Sequence, residues 1–391
     1  MIPYLRHAGL AAGFAIGLAG CGLSNYVSNY MAGESNAAPP APLVEFTPLA
    51  GVKQGWSENF GKGADEQFLK LEPMLVNDRV YVAERRGTVA AFSAADGKRL
   101  WQTETETAIA GGPGVGDGLV LVGTSGGEVL ALSEADGKLL WRARAPSEVL
   151  AAPQAAQGVV VVHSGDGNLI ALNVADGKKL WSYDRGAPVL SLRGTSPPLM
   201  VKDRVIVGFD NGVLSALELK TGQVEWETTI AVARGRNDLE RIVDIDTQPV
   251  LRDDVLYVAS FQGRVAAVSL DNGQTLWNRD LSSYAGVGVD DKNVYVTAAD
   301  GTIWALDRET GASVWKQDKL KARSSTAPAP MGSYVVVGDV EGYLHWLRRE
   351  DGQFAARVQV DKTRIIAPPV AVGTQLLVYS SGGTLASYLL Q

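Results

Sequence analysis

The sequence predicts an all-β protein, an eight-bladed β-propeller of four-stranded antiparallel blades whose last blade is closed by a strand from the N-terminal side. Three observations predict it. A glycine-led unit recurs eight times at intervals of 40, 40, 45, 51, 38, 41 and 41 residues, and a period of about 40 built from short β-type runs is a propeller period, not that of a helical solenoid. Six of the units carry a tryptophan at one fixed place. The two ends of the array are complementary in what they lack.

The unit opens on a turn glycine (Gly87, Gly127, Gly167, Gly212, Gly263, Gly301, Gly342, Gly383) followed by x-φ-x-Ala-φ, where φ is apolar. Before the glycine stands a β-branched run such as Val159, Val160, Val161, Val162. Continuous apolar runs suit strands covered on both faces. A second turn follows, ending in Gly97, Gly137, Gly177, Gly222, Gly273, Gly311 and Gly352, where glycine supplies the positive φ that a tight hairpin demands. Four residues later stand Trp101, Trp141, Trp181, Trp226, Trp277 and Trp315. Each ring is expected to fill the wedge between neighbouring blades and to bury on the order of 200 Å². The seventh unit departs, with Ala356 in the tryptophan position and Trp346 in the alanine position, an exchange of volume across one core site.

Eight copies of the first turn stand against seven of the second, because the chain stops at Gln391 after a third strand. An isolated copy of the missing outer strand, around Trp56, lies at the N-terminal side. This segment is expected to pair near residue 385 and close the ring, which removes the exposed edges of a long β-array.

The composition excludes several classes. With 46% hydrophobic and 20% charged residues the chain is globular, and a net charge of −7 argues against nucleic acid as a partner. One cysteine forms no internal disulfide, and three histidines leave little for zinc or imidazole chemistry. His163 and His345 lie in or beside strands and are expected to be structural. Ser125 sits in a G-x-S-x-G match, Gly123 to Gly127, on a strand–turn–strand where the nucleophile elbow requires a strand–turn–helix. No catalytic residue, cofactor site or metal site is expected.

Arg6 and His7 precede a short apolar run, too short to span a bilayer of roughly 30 Å but suited to an export signal. The run ends in Leu18, Ala19, Gly20, Cys21, which resembles the bacterial lipobox. That resemblance implies a signal peptide at residues 1–20, a lipid on Cys21 and, because Gly22 follows, an outer-membrane address on the periplasmic side. Loss of the signal moves the charge from −7 to −8, since Arg6 leaves and no acid does. Residues 21–50 are Ser, Asn, Ala and Pro rich and are expected to be a flexible tether with a reach on the order of 30 Å. The propeller is assigned residues 51–391.

The combination Ala-Leu-x-x-x-x-Gly-Lys-x-x-Trp, as at Ala131 to Trp141, is similar to the PQQ-type propeller repeat. With the lipobox and tether, the chain resembles the BamB family, lipoprotein scaffolds of the outer-membrane β-barrel assembly machine. The two longest intervals contain Ser191, Leu192, Arg193, Gly194 and Val243, Asp244, Ile245, Asp246, Thr247, motifs that family carries in partner-binding loops. The resemblance implies a non-enzymatic scaffold in which Leu190, Leu192, Arg193, Asp244 and Asp246 bind the POTRA domains of BamA among other subunits; a second possibility adds transient capture of unfolded outer-membrane chains by strand addition to an exposed edge. Both insertions are expected on one face of adjacent blades. A brace between Arg193 and Asp244 or Asp246 is an alternative role for the same residues. The residues 234–241 are expected to be a solvated charged loop with one helical turn. A quinone-dependent oxidoreductase and a periplasmic ligand-binding propeller are the alternative functions. The first lacks a Cys pair and an acidic calcium constellation in this sequence.

Overall fold

A computed structural model describes residues 38–391 except Ala187, Val189 and Arg193. The expected signal peptide, Cys21 and Arg193 therefore lie outside the described residues. The unit from Pro40 to Gln391 contains eight four-stranded antiparallel sheets, the blades, numbered 1 to 8 from Met74. In blade 3, a short first strand (Gln154–Ala156) pairs with Val159–His163, which pairs with Asn168–Asn173 and then Lys179–Asp184. First strands of adjacent blades lie side by side and form the inner ring. The second strand is buried along its whole length, whereas the fourth alternates half-buried and exposed residues and forms the rim.

The expected closure is present. Val52–Asn59 pairs antiparallel with Thr384–Leu390 and completes blade 8, with Trp56 opposite Ser387 and Glu58 opposite Leu385. Gln391 donates its backbone N–H to the Gly51 carbonyl at 2.9 Å, so the two ends meet in one blade.

Tryptophan fixes each blade to the next. Trp101 lies directly opposite Ala91, Trp141 opposite Ala131 and Trp226 opposite Ala216, and each indole N–H donates to a carbonyl of the following blade: Trp101 to Glu134 (3.1 Å), Trp141 to Val174 (2.9 Å), Trp226 to Leu270 (3.1 Å). The ring also lies flat on the second-turn glycine of that blade. A Cβ built on Gly137 would meet Trp101 Cε3 at 2.4 Å, so the turn needs glycine for contact as well as for its φ of 73°.

Blade 7 is explained by the same rule. Blade 8 has no second turn because the chain's two ends meet there, so a tryptophan in blade 7 would have nothing to cover. Ala356 occupies that place and Trp346 stands opposite it, 1% exposed and edge-on to Tyr388 at 6.4 Å. Leu49 and Ala50 instead donate backbone N–H groups to the Ala355 carbonyl, at 2.8 and 3.2 Å. Residues 41–50, expected to belong to the tether, are instead placed against the ring. From Ala41 onward the chain is hydrogen-bonded to blades 6 and 7.

Candidate functional site

Two connections between blades are long. The first runs from Asp184, the end of blade 3, to Leu199 in blade 4; the second from Thr229 in blade 4 to Val250 in blade 5. Both leave an outer strand and return to an inner one, so they emerge on the same face of adjacent blades, as expected. They are laced together at three points. The Leu192 N–H donates to the Asp244 carboxylate, Ser196 Oγ donates to the Thr247 carbonyl at 2.9 Å, and Gln248 Nε2 donates to the Pro198 carbonyl at 2.8 Å. Gly194 packs so closely on Asp246 that a Cβ there would lie 3.1 Å from the carboxyl carbon.

The expected residues divide by exposure. Leu190 is 40% exposed and Leu192 half-buried, so they present the apolar surface. Asp244 is 1% exposed and faces the Leu192 backbone, which makes it a brace. Asp246 is half-buried beside Gly194. The segment from Val232 to Arg241 is exposed and ends in a 3-10 turn, Leu239–Arg241, in agreement with the expected charged loop.

A third carboxylate, Asp210, joins the cluster from the first turn of blade 4 and is hydrogen-bonded to Ser191. Burial pushes the Asp210 carboxyl up to about 7, and the nearby Asp246 charge adds to it. Asp244 is pushed up to about 8, chiefly by burial, against the lowering effect of the Leu192 N–H. Asp246 is raised to about 6 by burial and held down by Lys70. One oxygen of each has no hydrogen-bond partner. Lys70 comes from the chain leading into blade 1 and reaches across the ring opening to donate to the Tyr284 carbonyl at 3.1 Å. Burial lowers its pKa, and Asp246 and Glu72 oppose that. Beneath the first loop, His163 contacts the Ser196 carbonyl through Nδ1 at 2.9 Å and is edge-on to Phe209; burial lowers its pKa.

Asp210, Lys70, Ser196 and His163 were not legible as members of this site. Asp210 sits in an ordinary Asp-Asn-Gly turn, and Lys70 meets the cluster only through ring closure. Ser125 lies at the strand–turn–strand between Leu119–Thr124 and Glu128–Ser133. No group of three or more His, Cys, Asp or Glu suited to a metal occurs among the described residues. The described geometry is that of two cross-linked loops with Leu190 exposed, above a ring of packed blades.

A family model described as outer membrane protein assembly factor BamB matches residues 85–317. A protein of that name from Pseudomonas aeruginosa is 46% identical over 386 residues, covering 99% of both chains. Those from Legionella pneumophila and Escherichia coli are 46% identical over 361 residues, covering 92% of this chain and 94% of the relative, and 35% identical over 382 residues, covering 95% of each. The solved structure of BamB from Moraxella catarrhalis superposes with a TM-score of 0.78 at 27% identity, covering 86% of this chain and 99% of that one. Quinohemoprotein alcohol dehydrogenase from Comamonas testosteroni, at 14% identity and a TM-score of 0.68 over 86% of this chain and 76% of its own, shares the fold alone. On the strength of these matches the chain belongs to the outer membrane protein assembly factor BamB family.

Proposed function

We propose that this chain is a lipid-anchored, non-enzymatic scaffold that docks on the POTRA domains of BamA and supports the folding and insertion of outer-membrane proteins. In this reading residues 1–20 direct export, Cys21 carries the lipid that holds the protein at the periplasmic face of the outer membrane, and residues up to about 40 are the leash. Leu190 and Leu192 are the apolar anchors, and Arg193 supplies a planar fork for carboxylates or carbonyls of the partner. Asp246 borders the contact, and Asp244 holds the anchors in place. The single observation that carries the reading is the hydrogen bond from the Leu192 N–H to the buried Asp244 carboxylate. It spends a buried carboxylate on fixing an otherwise irregular loop whose next apolar side chain faces solvent. A loop held this way pays little ordering entropy on binding.

The test is co-purification with BamA from detergent-solubilised envelopes. Leu190→Glu combined with Arg193→Glu should reduce BamA recovery at least tenfold, while thermal melting stays at the parent value because Leu190 is exposed. Recovery equal to the parent would overturn the assignment.

A further inference from the structure

We propose that residues 41–50 form a strap that fixes the place where the anchored N-terminus leaves the propeller, with Arg323 and Arg357 as its positioning residues; the proposal rests on the lipid-anchored reading above. The strap is held by two arginines that read its backbone. Arg323 donates from Nη1 to the Ala41 carbonyl at 2.7 Å, and Arg357 from Nη1 to the Val44 carbonyl at 2.9 Å. The strap returns one bond, from the Ala41 N–H to the Lys321 carbonyl at 3.0 Å. Phe46 stacks on Phe354 at 5.4 Å, and the Arg357 guanidinium lies 5.0 Å from the Phe46 ring centre and 5.3 Å from that of Phe354. Backbone carbonyls fix an extended course, and the aromatic clamp fixes its register.

The arginines are themselves held by buried Asp339 and His345 and by the more exposed Glu341. Arg323 is 1% exposed; its Nε donates to Asp339 Oδ2 at 2.7 Å and its Nη2 pairs with Glu341. Asp339 Oδ2 also meets His345 Nε2 at 2.8 Å, and Arg357 Nε donates to His345 Nδ1 at 3.1 Å. Since Nδ1 accepts, His345 is neutral with its proton on Nε2, in keeping with the downward shift that burial gives its pKa. A buried chain of guanidinium, carboxylate and imidazole is costly to assemble. One Nη1 donor of each arginine ends on the strap.

Position gives the strap its consequence. Arg323 belongs to the connection from blade 6 to blade 7, and Asp339 and Glu341 to the first turn of blade 7. Those connections and turns share the face that carries the laced insertions of blades 3 to 5. Ala41 therefore sits at that face, and the strap descends the rim of blade 7 to Leu49, which borders a groove with Asp291, Tyr334 and Arg349 on the opposite face. The free leash is cut to roughly twenty residues, at most about 70 Å when fully extended, and begins on the docking face. The ring is thereby presented to its partner and to the membrane with the insertions inward.

Hydrogen exchange on the full-length chain tests the strap. The parent should protect the amides of Ala41, Leu49 and Ala50. Phe46→Ala should speed exchange at Ala41 about tenfold or more with the propeller amides and melting temperature unchanged; Arg357→Ala should speed it as much but lower the melting temperature, because it leaves the buried His345 Nδ1 without its donor. Phe46 lies on the strap, so its variant alters no residue of the ring itself. Unprotected amides in the parent, or unchanged exchange in both variants, would overturn the strap.

The orienting role is read with the lipidated chain in phosphatidylethanolamine–phosphatidylglycerol vesicles containing a lipid-borne quencher. A fluorophore on Gln262→Cys, on the docking face, should be quenched more than one on Lys138→Cys, on the opposite face, and Phe46→Ala should abolish the difference. A difference that persists in Phe46→Ala, or is absent in the parent, would overturn orientation by the strap. A Cys21→Ser chain that stays with membranes would instead refute the anchoring reading, and exchange at Ala41 would still judge the strap.

Discussion

The junction between blades 4 and 5 offers a quantitative test of how the ring is held together. Trp226 is 9% exposed, donates to the Leu270 carbonyl and lies on Gly273, where a Cβ would meet Cε3 at 2.6 Å and Cδ2 at 2.7 Å. Trp226→Ala removes about 200 Å² of buried surface and one hydrogen bond, a loss of about 4 kcal/mol. Gly273→Ala places an alanine at a φ of 72°, which costs about 1–2 kcal/mol, and drives its methyl into the indole for about another 1–3 kcal/mol. With the indole gone, the second cost vanishes. The double variant should therefore be more stable than the sum of the single losses by about 2 kcal/mol, the signature of direct contact. Equilibrium urea unfolding followed by far-ultraviolet circular dichroism supplies the four free energies. Additivity within about 0.5 kcal/mol would refute the claim that the turn glycine exists for the ring of the preceding blade.

Deleting the closing strand, Val52–Asn59, should leave the Thr384–Leu390 edge unpaired and convert a monodisperse protein into higher oligomers by light scattering; a monomer of unchanged melting temperature would contradict closure. Trp346→Ala should cost about 4 kcal/mol in the same urea assay, because the ring is 1% exposed in the core, and a loss below about 1 kcal/mol would show that it is not a packing residue. Asp210→Asn tests the carboxylate cluster through pH. The folded state raises the Asp210 pKa from 3.8 to about 7, so it binds a proton that the unfolded chain releases, and that contribution to stability is lost as pH climbs from the ordinary carboxyl range through about 7. The variant should melt with the parent at pH 4 and above it at pH 8; equal melting at both would remove the raised carboxyl from the account.

Most of the fold was legible because a propeller repeats its instructions. Glycines, tryptophans and β-branched runs recur with little variation, and the unequal number of turns told where the chain closes. The exchange of Trp346 and Ala356 could be read as a swap of volume, but its cause lies in the missing second turn of blade 8. The strap was read as leash because the Pro- and Ala-rich run of residues 36–42 was carried through it, although Leu43, Val44, Phe46 and Leu49 lie within it. Its fixation depends on Arg323 and Arg357, which follow it by 282 and 313 residues in hydrogen-bond partners at Ala41 and Val44. The two long connections were located through motif and interval length, whereas Asp210 and Lys70 join them only in three dimensions. Local sequence carries no signal for side-chain contacts such as that of Lys70 with Asp246, made between elements 176 residues apart.

The central claim is that the laced loops couple this propeller to the machinery that inserts outer-membrane β-barrels. The most direct measurement follows assembly of a newly made outer-membrane barrel, by acquisition of its heat-modifiable folded form, in cells whose only copy of this chain is the parent or Leu190→Glu/Arg193→Glu. The account predicts slow assembly with the loop variant, close to that of cells lacking the chain, despite equal protein levels. Parental assembly rates with the variant would contradict it.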